Sequence, residues 1–594
     1  MSDLDKNMRD LERATVVDRL EELARTRAGD TAFVFVKDRK LNDETLTYGE
    51  LHARAAAVAG ALAERGCRPG ERVLLVYPSG LAYVAAFFGC LLAGAIAVPV
   101  YPPASEQHLG RLRKVIEDCR PRVVLTDTSE CLRLARLFEE MPGPVGGVCC
   151  TDDLPCVDEP VRAGAVAQSA DIALLQYTSG STGNPKGVVI THGNLSANQR
   201  LISRAFRGDT PGTVMGWLPL YHDMGLIGFV VAPLCSGISV IFIPTLRFLR
   251  DPTTWMDTIH RHRASISFGP NFAYGFVARR ATSEQLAGWD LSCLKVLGCG
   301  GEPVHPETIH AFSQRFAGHA RMAPDLVRPG YGCAEGTLTT SLTPMNEGLR
   351  LNVVDAATYR AEGVVAPPRE GQPTLTHVAC GVPIPGHEVV VVDKAGRRLA
   401  EGLEGEILMN GPSVSPGYFR NEKGSRETFR DGWLHTGDLG YLLDGHIYVT
   451  GRIKDLIIYH GRNYHPQSIE WPVGSLPGVR KGNVVAFSVP GEDSEELVLV
   501  LEAAADDEER LVREIKRVVQ AETGLAPRDV VLLGRNRLPK TSSGKLQRRK
   551  TREMYLNDEL GQAGSRMTAA RTRLLDLSRQ VARSLWARLR IGAG

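Results

Sequence analysis

Continuous apolar runs recur along the first half of the chain, and they constrain the fold more than any other feature. Six of them are "RVLLVY", "RVVLTD", "IALLQY", "SVIFIP", "SISFGP" and "KVLGCG". A strand with one face in water alternates apolar and polar residues, so unbroken apolar runs indicate strands that helices cover on both faces. The segment "TYGELHARAAAVAGALAERG" has helical spacing and begins with Thr47 and Glu50 placed as a capping box. We therefore expect a large α/β N-terminal region with buried sheets flanked by helices.

The chain has 594 residues, which exceeds what one hydrophobic core normally serves. Near Gly451 the pattern changes to a compact set of short elements, in which "NVVAFSV" and "ELVLVL" flank the turn "PGEDSE". The helix "LVREIKRVV" that follows places its apolar residues on one face: Leu511, Val512, Ile515, Val518 and Val519. These patterns predict an N-terminal domain over residues 1–451, a smaller α+β domain over 452–556 and a tail over 557–594.

Composition excludes several classes of function. The apolar fraction is 43%, the charged fraction is 23% and the formal net charge is +2, so no global field favours nucleic acid. All twelve cysteines precede Gly381 and no CxxC pair occurs, which is typical of reduced thiols and not of a disulfide framework or a zinc site. The charged N-terminus lacks the apolar core of a secretory signal, and we expect a cytoplasmic protein.

One stretch, "LAYVAAFFGCLLAGAIAVPV", is long enough to span a bilayer. Gly89, Gly94 and Pro99 interrupt it, however, and "AIAVPV" has the pattern of a short buried strand after a buried helix. We expect both elements inside the α/β core.

The loop "YTSGSTGNPKGV" combines glycines, hydroxyl residues and one lysine. Backbone N–H groups beside a lysine commonly cradle phosphate, because each amide is a small positive dipole and glycine permits close approach. The spacing differs from the familiar nucleotide loop, because Pro185 occupies the position of its second glycine. Taken alone, the loop also fits a flexible surface turn.

Four further segments carry groups that suit a nucleotide. They are "GCGGEPV", "YGCAEGTL", "LHTGDLGYL" and "TGRIKDLI". Each alone is equally typical of a structural turn, but their joint order along the chain is highly specific.

With these motifs in this order, the chain resembles the adenylate-forming superfamily of acyl-CoA synthetases, luciferases and peptide-synthetase adenylation domains, from about Thr47 to Lys550. The resemblance implies ATP and Mg²⁺ as cofactors and a mobile small domain. It assigns the nucleotide to Thr178, Ser179, Gly180, Ser181, Thr182, Gly183 and Lys186 at the phosphates, and to Gly300, Gly301, Glu302, Pro303, Tyr331 and Gly332 at the adenine.

The same resemblance implies roles for single residues. Glu335 matches the magnesium-coordinating glutamate, and Asp438 and Arg452 match the groups that bind the ribose. Lys454 falls on the hinge position between the domains. Lys545, in "PKTSSGK", matches the lysine that bridges the attacking carboxylate and the α-phosphate, although a lone lysine is more often a solvated surface residue.

The segment "WLPLYHDMGLIG" resembles the fatty acyl-AMP ligase branch, as do "YGCAEGTL" and "IIYHGRNYHPQSIE". In that branch His222 lies near the reacting carboxylate, which makes His222, Glu335 and Lys545 the catalytic candidates. An acyl pocket is implied at His222, Asp223, Met224 and Gly225, with the following apolar residues along a tunnel. From pattern alone, the same segment also fits a buried core in which His222 is simply hydrogen-bonded.

An inserted segment at about residues 352–377 also resembles this branch, where it is associated with restraint of the small domain and loss of the coenzyme A reaction. The implied activity is ATP-dependent formation of a fatty acyl-adenylate and pyrophosphate, followed by acyl transfer to the phosphopantetheine thiol of an acyl carrier protein for polyketide or lipopeptide synthesis. An acyl-CoA synthetase is the near alternative, and a non-catalytic acyl-nucleotide binding module is the distant one.

The tail beyond the resemblance has seven arginines against one acid, Asp576, between Arg566 and Arg590. Leucines and a valine recur there at helical spacing, which predicts a basic amphipathic helix. Such a helix could pack on the small domain, steer an acidic carrier protein or contact an anionic membrane surface.

Overall fold

A computed structural model describes residues 15–37, 43–103, 106–139, 146–155, 167–178, 185–205, 212–459, 462–491, 495–541 and 544–560. The predicted basic tail lies almost wholly outside these residues. No helix among the described residues is long and apolar enough to cross a membrane.

The strands are numbered in chain order. Their bounds are β1 (Thr31–Val36), β2 (Asp43–Thr47), β3 (Arg72–Val76), β4 (Ile96–Val100), β5 (Val123–Thr126), β6 (Val148–Cys150), β7 (Ile172–Thr178), β8 (Lys186–Thr191), β9 (Val214–Gly216), β10 (Val240–Phe242), β11 (Ile266–Gly269), β12 (Val296–Cys299), β13 (Val327–Tyr331), β14 (Ser341–Leu342), β15 (Leu351–Asp355), β16 (Thr374–Val378), β17 (Val382–Pro383), β18 (Glu388–Val392), β19 (Gly405–Asn410), β20 (Phe429–Arg430), β21 (Trp433–Leu443), β22 (His446–Arg452), β23 (Ile457–Tyr459), β24 (Arg462–Tyr464), β25 (Val479–Pro490), β26 (Glu495–Ala503) and β27 (Asp529–Leu533).

The α-helices are numbered in the same way. Their bounds are α1 (Val16–Thr26), α2 (Tyr48–Glu64), α3 (Leu81–Leu92), α4 (Glu106–Cys119), α5 (Thr128–Glu139), α6 (His192–Ala205), α7 (Asp223–Leu226), α8 (Ala232–Ser236), α9 (Thr245–Arg250), α10 (Thr253–His262), α11 (Asn271–Arg280), α12 (Ser283–Gly288), α13 (Pro306–Ala317), α14 (Ala356–Glu362), α15 (Glu422–Thr428), α16 (Gln467–Gly474), α17 (Glu508–Thr523) and α18 (Arg548–Leu556). A π-helix covers Ile227–Val231, and 3₁₀ turns cover Ala334–Gly336 and Ile453–Asp455.

The described chain divides into two compact units. The first unit consists of Met1–Val353 and Thr376–Thr450, and the second of Val354–Leu375 and Gly451–Gly594. The domain limits expected from the sequence stay a prediction. They differ from these units in one respect, because most of the inserted segment groups with the second unit and not with the first.

Two large sheets of the first unit are mainly parallel, as the apolar runs predicted. One has nine strands in the order β17–β14–β13–β12–β11–β9–β10–β1–β2, and the other has six in the order β6–β5–β3–β4–β7–β8. All six predicted strands are present in them, and their interiors are almost fully buried. A further antiparallel sheet contains β18, β19, β21 and β20, with β22 paired to β21. The α/β class is confirmed.

Local signals explain several helices. Thr47 caps α2 through the predicted reciprocal bonds with Glu50. The apolar stretch that could have spanned a membrane forms the buried helix α3 and then the buried strand β4, between β3 and β7. The apolar side chains of this stretch are therefore part of the protein core.

The expectation that all thiols are reduced is wrong for one pair. The sulfur atoms of Cys131 and Cys150 are bonded, with their Cα atoms 6.0 Å apart. Cys131 lies on α5 and Cys150 ends β6, and Asp152 beyond that strand accepts a hydrogen bond from the N–H of Thr128 at 2.9 Å. Packing of α5 against β6 brings the two cysteines together, which their spacing in the sequence does not reveal.

The second unit is built on the sheet β25–β26–β27, in which the first pair is antiparallel and the second parallel. Helix α17 buries Leu511, Ile515 and Val519 of the predicted face toward this sheet. Val512 and Val518 of the same face are only half-buried. The inserted segment joins it through α14, where the guanidinium of Arg360 lies over the ring of Tyr464, 5.6 Å from its centroid. This packing is why the insertion belongs to the second unit.

Candidate active site

The predicted phosphate loop connects two antiparallel strands, β7 and β8, in which Thr178 pairs with Lys186. Both residues are partly exposed, at the end of the hairpin where the loop joins the two strands. The sequence prediction for Ser179, Gly180, Ser181, Thr182 and Gly183 lies outside the described residues. Thr178 and Lys186 nevertheless fix where the loop leaves and re-enters the sheet.

The predicted adenine-binding residues follow the carboxyl ends of β12 and β13, which are parallel neighbours. A Cβ atom on Gly300 would lie 2.8 Å from the carbonyl oxygen of Gly330, and one on Gly332 would lie 1.8 Å from that of Leu338. Only glycine permits these close approaches: the first brings the ends of β12 and β13 together, and the second lets the turn after β13 fold back on itself. Parallel sheets commonly bind ligands at this edge.

Gly301, Glu302 and Pro303 continue from the end of β12. Gly301 has a φ of 78°, which favours glycine. The Oε1 atom of Glu302 accepts a hydrogen bond from the N–H of Phe272 at 2.6 Å. Glu302 therefore helps to join this loop to the start of α11.

Tyr331 and Asp438 are in direct contact. The Tyr331 hydroxyl donates to Oδ2 of Asp438 at 2.7 Å, and Asp438 is only 4% exposed on β21. Burial raises the pKa of Tyr331, and the Asp438 carboxylate adds to this effect. The phenol is therefore a neutral donor that helps to fix the carboxylate.

Glu335 lies in the 3₁₀ turn after β13, and Tyr418 contacts it. The Tyr418 hydroxyl donates to Oε1 of Glu335 at 2.8 Å. The ammonium of Lys186 lies over the Tyr418 ring, 4.5 Å from its centroid. Burial and the neighbouring Glu335 carboxylate raise the pKa of Tyr418, so it remains a hydrogen-bond donor.

Sequence reasoning missed Tyr418. It stands in "PSVSPGYF", where proline, glycine and serine indicate a turn and give no sign of a site. In the structure this segment runs beside β8, with the N–H of Phe419 bonded to the carbonyl of Gly187 at 2.8 Å. A long-range pairing of this kind has no local signature.

The turn that carries Glu335 is held from the same segment. The N–H of Ser415 bonds to the carbonyl of Glu335 at 2.8 Å, and the hydroxyl of Thr337 donates to the carbonyl of Ser413 at 2.6 Å. Thr337 is fully buried with a φ of 73°, which is costly for a β-branched residue. Surrounding contacts over-determine this conformation, and they hold Glu335 in a defined place.

The predicted acyl-pocket residues begin α7. His222 is its N-cap, and Nδ1 of His222 lies 2.6 Å from Oδ1 of Asp223. The N–H of Met224 bonds to the same carboxylate oxygen at 2.7 Å. A Cβ on Gly225 would lie 2.0 Å from the carbonyl of Pro219, so glycine is required there.

The apolar residues that follow form the π-helix Ile227–Val231, all of them buried. Phe229 stacks on Phe268 with centroids 3.8 Å apart. Single π-turns are frequent beside functional sites. The acyl tunnel itself stays a prediction.

The remaining predicted residues belong to the second unit. Arg452 ends β22 and is exposed, and Lys454 lies in the 3₁₀ turn Ile453–Asp455. Lys545 lies in a tight loop, where its N–H bonds to Oγ1 of Thr541 at 3.0 Å and its carbonyl accepts from the N–H of Thr541 at 2.7 Å.

Arg548, three residues after Lys545, ties this loop to the rest of the second unit. Its guanidinium lies 2.6 Å from the carboxylate of Asp455 and 2.8 Å from that of Glu470. Its Nε atom donates to the carbonyl of Ala486 at 3.0 Å. A multi-donor guanidinium suits such a junction, because several partners are satisfied at once.

The residues present fit a magnesium ion that arrives with its nucleotide. Among the described residues, no group of three or more histidine, cysteine or acidic side chains could hold a metal ion. Glu335 instead offers a single carboxylate, with one oxygen engaged by Tyr418. Mg²⁺ is commonly bound through one or two carboxylates together with substrate phosphates.

Comparison with known proteins identifies a family that this chain matches. The family model described as AMP-binding enzyme matches residues 20–419. The medium-chain-fatty-acid–[acyl-carrier-protein] ligase JamA of Moorena producens is 35% identical over 578 residues, covering 93% of this chain and 97% of JamA. The long-chain-fatty-acid–AMP ligase FadD26 of Mycobacterium marinum is 36% identical over 580 residues, covering 91% of this chain and 97% of FadD26.

A solved structure from studies of fatty acyl-adenylate ligases of E. coli and L. pneumophila has the same fold. It matches with a TM-score of 0.85 and 34% identity, over 92% of this chain and 99% of the other. The similarity therefore extends through both compact units.

Proposed function

The chain belongs to the AMP-binding enzyme family and is a fatty acyl-AMP ligase, and we propose that it passes the activated acyl group to the phosphopantetheine thiol of an acyl carrier protein. One observation carries the nucleotide part of this proposal. In the first unit the carboxylates of Asp438 and Glu335 each accept a hydrogen bond from a tyrosine hydroxyl, and the tyrosine bonded to Glu335 also contacts the ammonium of Lys186 at the end of the predicted phosphate loop.

Each group has a distinct role in binding ATP. Asp438 accepts hydrogen bonds from the ribose, and Arg452 donates to the same sugar. The glycines after β12 and β13 leave room for the adenine beside Tyr331. Lys186, Thr178 and the loop between them bind the phosphates.

The reaction joins two anions. A carboxylate oxygen of the fatty acid attacks the α-phosphorus of ATP and forms a new O–P bond, while the bond to the bridging oxygen breaks and pyrophosphate leaves. Charge accumulates on the α-phosphoryl oxygens, so fixed cations stabilise the transition state. Lys545 supplies one of these charges, and His222 orients the fatty-acid carboxylate at the start of α7.

Mg²⁺ at Glu335, when bound, neutralises charge on the pyrophosphate that leaves. Tyr418 holds the carboxylate in position. The proposed location is the cytoplasm, because the proposed reaction uses ATP and an acyl carrier protein.

The acceptor part of the proposal rests on the inserted segment and on a relative. JamA is an acyl-carrier-protein ligase by name. Residues Val354–Leu375 belong to the second unit, so that unit is joined to the first by three chain crossings and not by one. The two additional connections restrict rotation of the second unit about the hinge at Lys454. This restriction disfavours the second orientation that a reaction with free coenzyme A would need.

Direct comparison of acceptors tests this proposal. Purified enzyme with ATP, Mg²⁺ and a fatty acid is offered free coenzyme A or a holo acyl carrier protein, and thioesters are measured by mass spectrometry. Acyl-carrier product with little acyl-CoA is the expected result. Efficient acyl-CoA formation would replace the carrier proposal with the synthetase alternative.

A double variant sharpens the role of the insertion. Tyr359, only 2% exposed, and Arg360 lie on α14 within the second unit. Changing both to alanine should loosen the insertion from Tyr464 and His465 and increase acyl-CoA formation. Glu362→Ala, on the exposed side of the same helix, is the matched control and should leave the acceptor preference unchanged.

The basic tail also belongs to this proposal, as a docking element for an acidic carrier. Removing residues 561–594 should leave adenylation unchanged and slow carrier transfer, most strongly at low salt, where charges are least screened. If transfer is indifferent to truncation and salt, co-sedimentation with anionic liposomes tests peripheral membrane contact instead.

A further inference from the structure

Tyr418 contacts two groups of opposite charge at once. Its ring face carries the Lys186 ammonium at 4.5 Å, and its hydroxyl donates to Glu335 at 2.8 Å. In the described part of the chain, no ion pair joins Lys186 directly to Glu335. One phenol therefore lies between a cation and an anion that would otherwise attract each other.

The position of Tyr418 is set by contacts that do not involve either charge. Its backbone bridges to Val188 on β8, and its N–H bonds to the hydroxyl of Ser425 at 2.8 Å. The ring packs edge-to-face on Phe429, with centroids 5.5 Å apart. The phenol is a fixed spacer, so the side chains of Lys186 and Glu335 adapt to it.

This separation has a chemical consequence. A lysine paired to a carboxylate has less positive charge to offer a phosphate, and a paired carboxylate has less negative charge to offer a cation. The hydroxyl engages only one Glu335 oxygen and leaves the other for a ligand. We propose that Tyr418 is a positioning residue that keeps Lys186 available to the nucleotide phosphates and orients Glu335 toward the magnesium ion that accompanies them.

This inference rests on the proposed nucleotide site. Two substitutions separate the effect of Tyr418 on Glu335 from its effect on Lys186. Tyr418→Phe removes the hydroxyl and keeps the ring, so it should affect only the metal-linked part of ATP binding. Tyr418→Leu removes both and lets Lys186 approach Glu335. It should therefore also weaken ATP binding without metal.

Calorimetry of ATP binding, with Mg²⁺ and in EDTA, measures both parts. We expect the enhancement of ATP affinity by Mg²⁺ to fall about tenfold in Tyr418→Phe, from loss of a hydrogen bond to a charged group, with unchanged affinity in EDTA. Tyr418→Leu should in addition lose roughly threefold in affinity in EDTA, as expected when Lys186 forms an ion pair with Glu335.

The matched control is Tyr555→Phe, which removes a hydroxyl bonded to the carboxylate of Asp529 at 3.1 Å in the second unit. It should change neither affinity. If Tyr418→Phe lowers only the number of binding sites and keeps the Mg²⁺ enhancement, Tyr418 is merely structural and the inference is wrong. If the wild-type protein binds no ATP, the proposed function fails together with it.

Discussion

The two units hold their functional side chains in opposite ways. In the first, the carboxylates of Asp438 and Glu335 are already fixed by tyrosine hydroxyls at 2.7 and 2.8 Å. In the second, Arg548 has the partners, whereas the Lys545 ammonium forms no hydrogen bond or ion pair with the residues that the structure describes. Binding groups are preorganised, and the lysine proposed for chemistry is left free to meet a substrate.

Loss of the Lys545 charge should give the largest effect on activity. Lys545→Ala should lower adenylate formation by about 100- to 1,000-fold, as for loss of one fixed group that stabilises the transition state, and leave ATP affinity nearly unchanged. Pyrophosphate release and calorimetry measure the two quantities, with exposed Lys516→Ala as control. Equal losses of binding and turnover would contradict the contrast between the units.

The anchor of the lysine loop is tested through stability. Arg548→Met leaves Asp455 and Glu470 without their shared partner and should lower the free energy of unfolding by about 3 kcal/mol. Chemical denaturation measures this change. Arg513→Met removes an arginine with a 68% exposed side chain from the neighbourhood of Glu509 and should cost far less. Similar losses in both variants would show that the half-buried cluster of Arg548, Asp455 and Glu470 is not an anchor.

A substitution at Asp438 tests whether the fixed carboxylate in the first unit binds the nucleotide. Asp438→Ala removes the ribose acceptor and leaves the Tyr331 hydroxyl without this partner, so ATP binding should weaken by about 2 kcal/mol. Calorimetry measures the affinity, and Glu427→Ala, exposed on α15, serves as control. An unchanged affinity would remove Asp438 from the nucleotide site.

His192 gives a pH dependence in the first unit. Burial lowers its pKa to about 4, although Asp171 and Asp18 act in the opposite direction. The unfolded chain binds a proton near pH 6.5, so the stability contributed by neutral His192 is complete above that pH and is lost as pH falls toward 4. Between pH 7 and 5 the loss should be roughly 1.5 kcal/mol. Denaturation of His192→Gln should lack this component, and identical pH profiles would refute the assignment.

The hinge prediction should have the smallest effect on adenylation. Lys454→Pro restricts the backbone of the turn Ile453–Asp455 and should leave acyl-adenylate formation largely intact, while carrier transfer slows several-fold. Separate assays of the two half-reactions measure this. A parallel fall in both would show that Lys454 is not a hinge.

Sequence patterns predicted the α/β class and the six strands because burial on both faces leaves a continuous apolar signal. The capping box at Thr47 was equally visible, since its two partners are three residues apart. Contacts between distant segments were not visible: Cys131 with Cys150, Tyr418 with Glu335, and α14 with the second unit. These depend on packing, and no local spacing encodes them.

For the candidate site, too, the sequence identified single residues but not the contacts between distant segments. Tyr331, Glu335 and Asp438 were found through resemblance to a family, and the structure adds that Tyr331 and Asp438 touch. The same resemblance predicted that His222 lies near the fatty-acid carboxylate. The contact between His222 and Asp223 does not test this role, because adjacent residues at the start of a helix often interact in this way. The roles of these residues stay predictions until they are tested by substitution.

Product analysis of the wild-type enzyme shows whether the chain joins a fatty acid to AMP. A panel of fatty acids of different length is incubated with ATP and Mg²⁺, without any thiol acceptor, and nucleotides and adenylates are measured by mass spectrometry. We expect acyl-AMP and pyrophosphate in equal amounts for at least one acid. Release of ADP and phosphate, or no acid-dependent product with any chain length, would contradict it.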